Sequence, residues 1–379
     1  VLESFRKVSA GADLVIVEGA GSPAEINLRA GDIANMGFAL AADVPVVLAA
    51  DIARGGVIAN LVGTAAVLPQ ADKRQVKGFL INKFRGDVRL FDAGAATIQE
   101  RTGWPSLGVV PWFDGAERLP AEDTLGLPAK ATRSGFTIVM PRLPHIANFD
   151  DCDPLRLEPS VSLSLLPLEE PLPADTDLVL LPGSKSTIAD LNALKAAGWD
   201  IDLKAHVRRG GRVIGLCGGY QMLGRMVVDE DGIEGPPGAT DGLGLLNVTT
   251  RLMAPKVTRQ TRGRACLEGV DTPVEGYRIH MGRTEGPDTA RPLAVLEEGP
   301  DGAVSADGRV MGAYLHGLFN ADPFRKAFLA RLGTPSSLHY DQVVDDTLDR
   351  LADHLDAAID TDAVLALAQT RAIVAATNP

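Results

Sequence analysis

The chain is poor in the features that most narrow a protein's class. It has three cysteines, Cys152, Cys217 and Cys266. They are an odd set without metal-ligand spacing, which argues against a disulfide framework and for a reducing compartment. No apolar run reaches about 18 residues, so no membrane span is expected. No basic, apolar, small-residue leader is present, so no export signal is expected and the cytoplasm is the expected location. Positive charge is in deficit: 37 Lys and Arg stand against 49 Asp and Glu, a formal net charge of −12. That balance disfavours nucleic acid as a partner. The basic stretch Lys256, Arg259, Arg262 and Arg264 is local; it reads either as a solvated strand and loop or as a patch facing an anionic substrate or partner domain. A Walker A loop is missing too. The nearest stretch, Gly183-Ser184-Lys185-Ser186-Thr187, has no glycine directly before its lysine. The sequence opens at Val1 inside a helix-like run, Leu2 to Ala10, and the expectation is a fragment whose first strands lie upstream.

What is there centres on Gly211 to Gly224, GRVIGLCGGYQMLG. Arg212 to Leu216 is a short run rich in branched residues and reads as a buried strand. Cys217 and two glycines follow, then helical spacing from Tyr220 to Met226. Gly215-Leu216-Cys217-Gly218-Gly219 is a strand-to-helix elbow of the G-x-nucleophile-x-G kind, with Cys as nucleophile. The flanking glycines allow the tight turn. A helix N-terminus favours thiolate over thiol, and the Gly218 N–H points where an oxyanion would form. The alternative is a small buried cysteine before an ordinary glycine-rich turn, and the complete elbow argues against it. A nucleophilic cysteine needs a base. His316, in GAYLHGLF, ends a strand-like run and can reach a neighbouring strand end. Of the other histidines, His280 in GYRIHMG is the serious competitor. Two residues past His316 stands Leu318, not an acid that could orient the ring, so what orients His316 is open.

At 379 residues two domains are expected. Residues 1 to about 130 alternate strand and helix. Strands are read at Asp13–Glu18, Pro45–Ala50, Lys77–Asn82 and Ser106–Val110, and helices at Ile33–Ala42, Gly56–Leu68 and Leu90–Thr102. This is a parallel sheet covered on both faces. Ligands meet such sheets at the carboxyl ends of strands, where Glu18, Asp51 and Asn82 lie. An acid before a Gly-rich loop suits magnesium bridging nucleotide phosphates, although acids also cap such loops. Pro111 to Ser134 reads as the end of the first domain and a linker. A second domain opens with the strand Thr137–Met140. Pro323–Leu332 is helical, as is Leu338–Ile373 with a break at Asp360–Asp362.

LLPGSKST at Leu180–Thr187, GLCGGYQMLG, GYRIHMGRT at Gly276–Thr284 and GAYLHGLF together resemble the glutamine amidotransferase domain of the cobyric acid synthase and cobyrinic acid diamide synthase group. Val17-Glu18-Gly19 with Ser22-Pro23-Ala24-Glu25-Ile26-Asn27-Leu28 is similar to the cobyric acid synthase branch, whose synthetase half is related to dethiobiotin synthetase and the partitioning ATPases. The likeness covers nearly the whole chain. It implies an α/β fold of three parts. Residues 1–132 would be the C-terminal part of a P-loop-type synthetase domain, with its phosphate loop upstream of Val1. Residues 133–335 would be a class I amidotransferase-like domain, and 336–379 a helical tail.

The resemblance also implies Cys217 and His316 as the catalytic pair. Gly183, Ser184, Gly218 and Gln221 would serve the oxyanion and glutamine, Asn82 the nucleotide base, and Glu18 and Asp51 magnesium. Asn82 can equally be a turn residue. Pro144-His145-Ile146-Ala147-Asn148-Phe149-Asp150-Asp151 reads as a structural loop. Glu275 and His280 flank the GYRIHMG turn, near where relatives hold glutamine or the partner domain. The implied partners are glutamine, ATP with magnesium, and a corrinoid, adenosylcobyrinic acid a,c-diamide, amidated at its b, d, e and g carboxylates; a homo-oligomer is open. The rival readings are the sister a,c-diamide synthase, an amidotransferase partner of a Mur-type ligase, and a non-catalytic partitioning-type module with a decayed amidotransferase domain. The intact elbow and His316 argue against decay.

Overall fold

The computed structural model describes residues 1–120 and 135–376. Two compact units emerge: Val1–Ala116 with Thr347–Pro379, and Glu117–Asp346. Most of the expected linker, residues 121–134, lies outside the described residues.

In the first unit the expected alternation holds from residue 36 onward. β1 (Val46–Asp51), β2 (Val76–Phe84) and β3 (Ser106–Pro111) form a parallel sheet in that order. Phe79, Ile81 and Ile98 are fully buried in its core. The helix expected over Ile33–Ala42 begins only at Met36. The Asp32 carboxylate accepts from the N–H groups of Ala34, Asn35 and Gly37 and holds the preceding residues in a loop. Asp13–Glu18 is not the expected buried strand. Ile16 is 87% exposed, and no strand of the described residues pairs with the segment. An apolar run becomes a strand only where a neighbour takes up its N–H and C=O groups. The helices Tyr340–Asp356 and Thr361–Ala376 come last in the described chain, and from Thr347 onward they belong to the first unit. His354 Nε2 lies 3.0 Å from the Pro111 carbonyl, and Asp360 N donates to Leu107 at 2.8 Å, so the last part of the chain packs along β3.

The second unit holds β4 (Phe136–Arg142), β5 (Ile146–Ala147), β6 (Val161–Pro167), β7 (Leu178–Leu181), β8 (Gly183–Ser184), β9 (Arg212–Leu216), β10 (Met226–Asp229), β11 (Gly238–Asp241), β12 (Thr249–Arg251), β13 (Val257–Ala265), β14 (Pro273–His280), β15 (Arg283–Glu285), β16 (Ala294–Leu296), β17 (Gly299–Asp301), β18 (Ala303–Val304), β19 (Val310–Ala313) and β20 (Leu315–His316). Its central sheet runs β18-β19-β9-β7-β4-β6, parallel except for β18. The unbroken apolar runs of these strands have a direct cause. Leu178, Leu180, Ile214 and Leu216 join one core, while Val179, Leu181 and Val213 join another on the opposite face. A strand buried on both sides shows no polar alternation. A second sheet, β17-β16-β13-β14-β20, is antiparallel. It carries the basic stretch, in which Arg259, Arg262 and Arg264 are each paired with a carboxylate, of Glu298, Glu297 and Asp271. That pairing fits the solvated-strand reading.

Candidate active site

Three adjacent strands deliver the candidate residues to one edge. β7 pairs with β9 through Leu181 and Gly215, and β9 with β19 through Leu216 and Ala313. Their carboxyl ends therefore coincide. Gly183 and Ser184 follow β7, Cys217 follows β9, and His316 follows β19 through the short β20. Ligand sites of open parallel sheets form at this edge.

Cys217 occupies a strained conformation, φ 50° and ψ −108°. A non-glycine residue stays there only where its surroundings hold it, and such strain is typical of a nucleophile elbow. Its N–H donates to the Ala313 carbonyl at 2.8 Å, and its carbonyl accepts from Gln221 N at 3.1 Å. Its Sγ lies 3.4 Å from the Ile279 carbonyl. The glycines are required by close approach. A Cβ on Gly219 would stand 2.2 Å from the Leu181 carbonyl oxygen, and one on Gly218 2.9 Å from Ser184 N. The second figure also places the backbones of Gly218 and Ser184 side by side. The elbow helix is shorter than its spacing predicts: it spans Gly218–Leu223, and Met226 already begins β10. Arg225 N donates to Val248 and Gly242 N to Arg225, so strand-like tertiary pairing overrides helical periodicity after Gly224.

His316 is fully buried. Its Nδ1 lies 2.7 Å from Asp151 Oδ2, and the other oxygen of that carboxylate accepts from Gly317 N, also at 2.7 Å. The ring of Tyr277 stacks on the imidazole, 5.1 Å between centroids and 15° between planes. His316 Nε2 is buried and makes no hydrogen bond. Burial by itself would lower the pKa of this imidazole. Hydrogen bonding to Asp151 and the nearby Cys217 outweigh it and raise the value to about 10. Tyr277 and Gly317 also form part of the wall of an open cavity of about 1310 Å³ that includes Arg262 and Glu275.

The competitor His280 is differently placed. It stacks on Tyr314 at 3.8 Å, and its Nε2 accepts from Arg278 at 3.1 Å. Burial first, then the Arg278 charge, hold its pKa down to about 4. A ring of such low basicity, with Nε2 occupied, is a poor base for a thiol. Gln221 is likewise committed. Its amide donates to Met281 O and Tyr314 OH and accepts from Thr187, all within a buried network. The geometry gives this side chain a bracing role between the elbow and the GYRIHMG turn.

The residue the sequence reading missed is Asp151. The segment containing it was expected to be a structural loop, yet β5 within it pairs with β8, aligning Ala147 with Gly183. Asp190, also unremarked, is fully buried and accepts from Ser184 Oγ at 2.6 Å and from His145 N at 3.0 Å, tying the same two segments together.

In the first unit, Asp51 and Asn82 stand side by side at the carboxyl ends of β1 and β2, as expected. Asp51, however, is held by Lys83 Nζ at 3.0 Å and caps the next turn through Ala53 N. Asn82 Oδ1 accepts from Lys83 N, the turn role considered for it. Glu18 lies in the exposed, unpaired segment. Among the described residues no three His, Cys, Asp or Glu side chains gather as a metal site.

Comparison with known proteins bears on both units. Residues 137–324 match the CobB/CobQ-like glutamine amidotransferase domain, and residues 1–118 match an AAA domain family. A cobyric acid synthase of Paracoccus denitrificans is 60% identical over 369 residues, 97% of this chain and 76% of that protein. The chain belongs to the cobyric acid synthase family. Cobyric acid synthases of Brucella suis and Rhodobacter capsulatus are 57% and 59% identical, each over 97% of this chain, covering 76% and 77% of those proteins. Among solved structures, PurLQS from Thermotoga maritima aligns with TM-score 0.40 at 16% identity, covering 52% of this chain and 98% of that one. A glutamine amidotransferase aligns with TM-score 0.36 at 18% identity, covering 52% and 100%. The assignment to the cobyric acid synthase family does not rest on these two.

Proposed function

We propose that Cys217 and His316 carry the glutaminase step of a glutamine-dependent, ATP-driven amidation in cobalamin biosynthesis. The proton of Cys217 rests on His316 Nε2, and Sγ attacks the carboxamide carbon of glutamine. The N–H groups of Gly218 and of Ser184 or Gly183 receive the tetrahedral oxyanion. His316 then protonates the leaving nitrogen, and ammonia departs from a glutamyl thioester. Water, deprotonated by the same imidazole, cleaves the thioester to glutamate. Ammonia displaces phosphate from an activated carboxylate. Adenosylcobyrinic acid a,c-diamide would be the acceptor, at its b, d, e and g carboxylates. The observation that carries this reading is the buried Nε2 of His316, which makes no hydrogen bond, just beyond the strand that pairs with the one leading into the Cys217 elbow.

By the same reading residues 1–132 belong to the synthetase, 133–335 to the amidotransferase and 336–379 to a helical tail. The matched ranges 1–118 and 137–324 agree with the first two. Asn82 would meet the nucleotide base. Magnesium would neutralise the ATP phosphates, but the described residues do not assemble a site for it: Asp51 is occupied by Lys83 and Glu18 stands apart in an exposed segment. Among the described residues no helix is long and apolar enough to cross a membrane.

The test is Cys217→Ala. Glutamine-dependent amidation should fall by several orders of magnitude, with ammonia-dependent amidation spared. Equal loss with both nitrogen donors would overturn the assignment.

A further inference from the structure

Each amidotransferase group has a partner that fixes it except, by the sequence reading, the base. The acid expected two residues after His316 is replaced by Leu318, and Leu318 is fully buried in the core. We infer that Asp151 is the positioning residue for His316, supplied from a segment 165 residues away in sequence, and that it completes a Cys–His–Asp arrangement in this enzyme.

Three features of the contact support a positioning role. First, it is two-pronged. One carboxylate oxygen meets His316 Nδ1 and the other meets the N–H of the next residue, Gly317, so the ring and its backbone are set against one group. Second, Asp151 is only 4% exposed. A carboxylate removed from water requires hydrogen bonds, and these are the ones it is given. Third, accepting from Nδ1–H fixes the tautomer and leaves Nε2 to face the thiol. Loop neighbours hold Asp151 in turn. Asn148 Nδ2 donates to Tyr277 OH at 2.8 Å, and Tyr277 covers the other face of the imidazole. Ala147 pairs with Gly183 on the oxyanion side. One short segment thus sets both the base and the strand opposite it.

The role has a signature that bulk packing lacks. The charged and titratable groups facing His316 are Asp151, Cys217 and Tyr277, with Asp150, Asp301 and His280 further out. Burial lowers the His316 value, and Asp151 leads the groups that raise it, ahead of Cys217. Because the folded value is raised, the imidazolium contributes stability that is complete below the ordinary value of 6.5 and is lost as pH rises through about 10. Removing the Asp151 charge moves the upper end of that window down.

The experiment measures glutamate release and the rate of Cys217 alkylation by iodoacetamide against pH, for the protein and for Asp151→Asn. Asp151→Asn should lower kcat for glutamine on the order of 10³-fold, toward the roughly 10⁴-fold that loss of the orienting acid costs in a serine triad. KM should change little. The alkaline fall in activity and the alkylation profile should both shift to lower pH by more than about one unit. In a His316→Asn background the same substitution should cost nothing further, because Asp151 acts through that ring. Unchanged turnover would overturn the inference. So would lost turnover with unmoved pH and alkylation profiles, which marks a structural role alone. If Asp151→Asn does not fold, magnetic resonance of the unmodified protein with isotope-labelled histidine decides. A proton that stays on His316 Nδ1 through the titration, with the Nε2 proton leaving near pH 10, supports the inference, and loss of the Nδ1 proton first sinks it.

Discussion

The two units handle their candidate polar groups in opposite ways. In the amidotransferase unit each group stands at the end of a strand buried on both faces and is locked by a second polar group: Cys217 by Ala313, Ser184 by Asp190, His316 by Asp151. In the first unit Glu18 lies on an unpaired, exposed segment, and Asp51 and Asn82 are occupied by Lys83 at a surface turn. Chemistry that proceeds within one fold needs its geometry set before substrate arrives.

The most forceful way to break this contrast is at the base. His316→Asn should cut glutamine turnover about 10³-fold. His280→Asn should cost less than about tenfold, or about 1.4 kcal/mol of barrier. Glutamate release by the two variants checks it, and a dead His280 variant beside an active His316 variant would reverse the assignment. A smaller effect, on stability, probes how tightly the elbow is packed. Gly219→Ala forces a methyl group onto the Leu181 carbonyl and should cost about 3 kcal/mol. Denaturant unfolding reads this, and a loss well under about 1 kcal/mol would show that the β7–β9 edge yields. The smallest effect belongs to the first unit. Asp51→Asn keeps the turn cap and loses a half-exposed ion pair, so stability should change by less than about 1 kcal/mol. A larger loss would mean that this edge is as firmly arranged as the other.

The amidotransferase site was legible in the sequence wherever a local pattern encodes it. The elbow needs its glycines beside the cysteine, and a strand-end histidine shows as an apolar run that stops. Asp151 was not legible, because its partner is 165 residues away and the Asp150-Asp151 pair looks like any acidic turn. The choice of His316 over His280 rested on placement; in the structure a carboxylate raises the His316 pKa against burial, while burial and then a guanidinium lower that of His280. The strand at Asp13–Glu18 failed for a different cause. Its apolar composition was read correctly, but composition does not supply a neighbour to pair with. The helix after Cys217 was drawn too long, because periodicity says nothing of Val248, whose carbonyl claims Arg225 N.

The register between β9 and β19 has a consequence for quality control. Leu216 faces Ala313 across one parallel ladder, and that single alignment sets how far the base projects beyond the nucleophile. A slip by one residue would turn the side chains of β19 to the opposite face of the sheet and displace the His316 that follows it, while leaving a compact, largely apolar body that bulk probes of folding would score as native. Turnover of glutamine therefore reports on strand alignment itself, and separates correctly threaded molecules from near-misses that absorbance or size alone would count together.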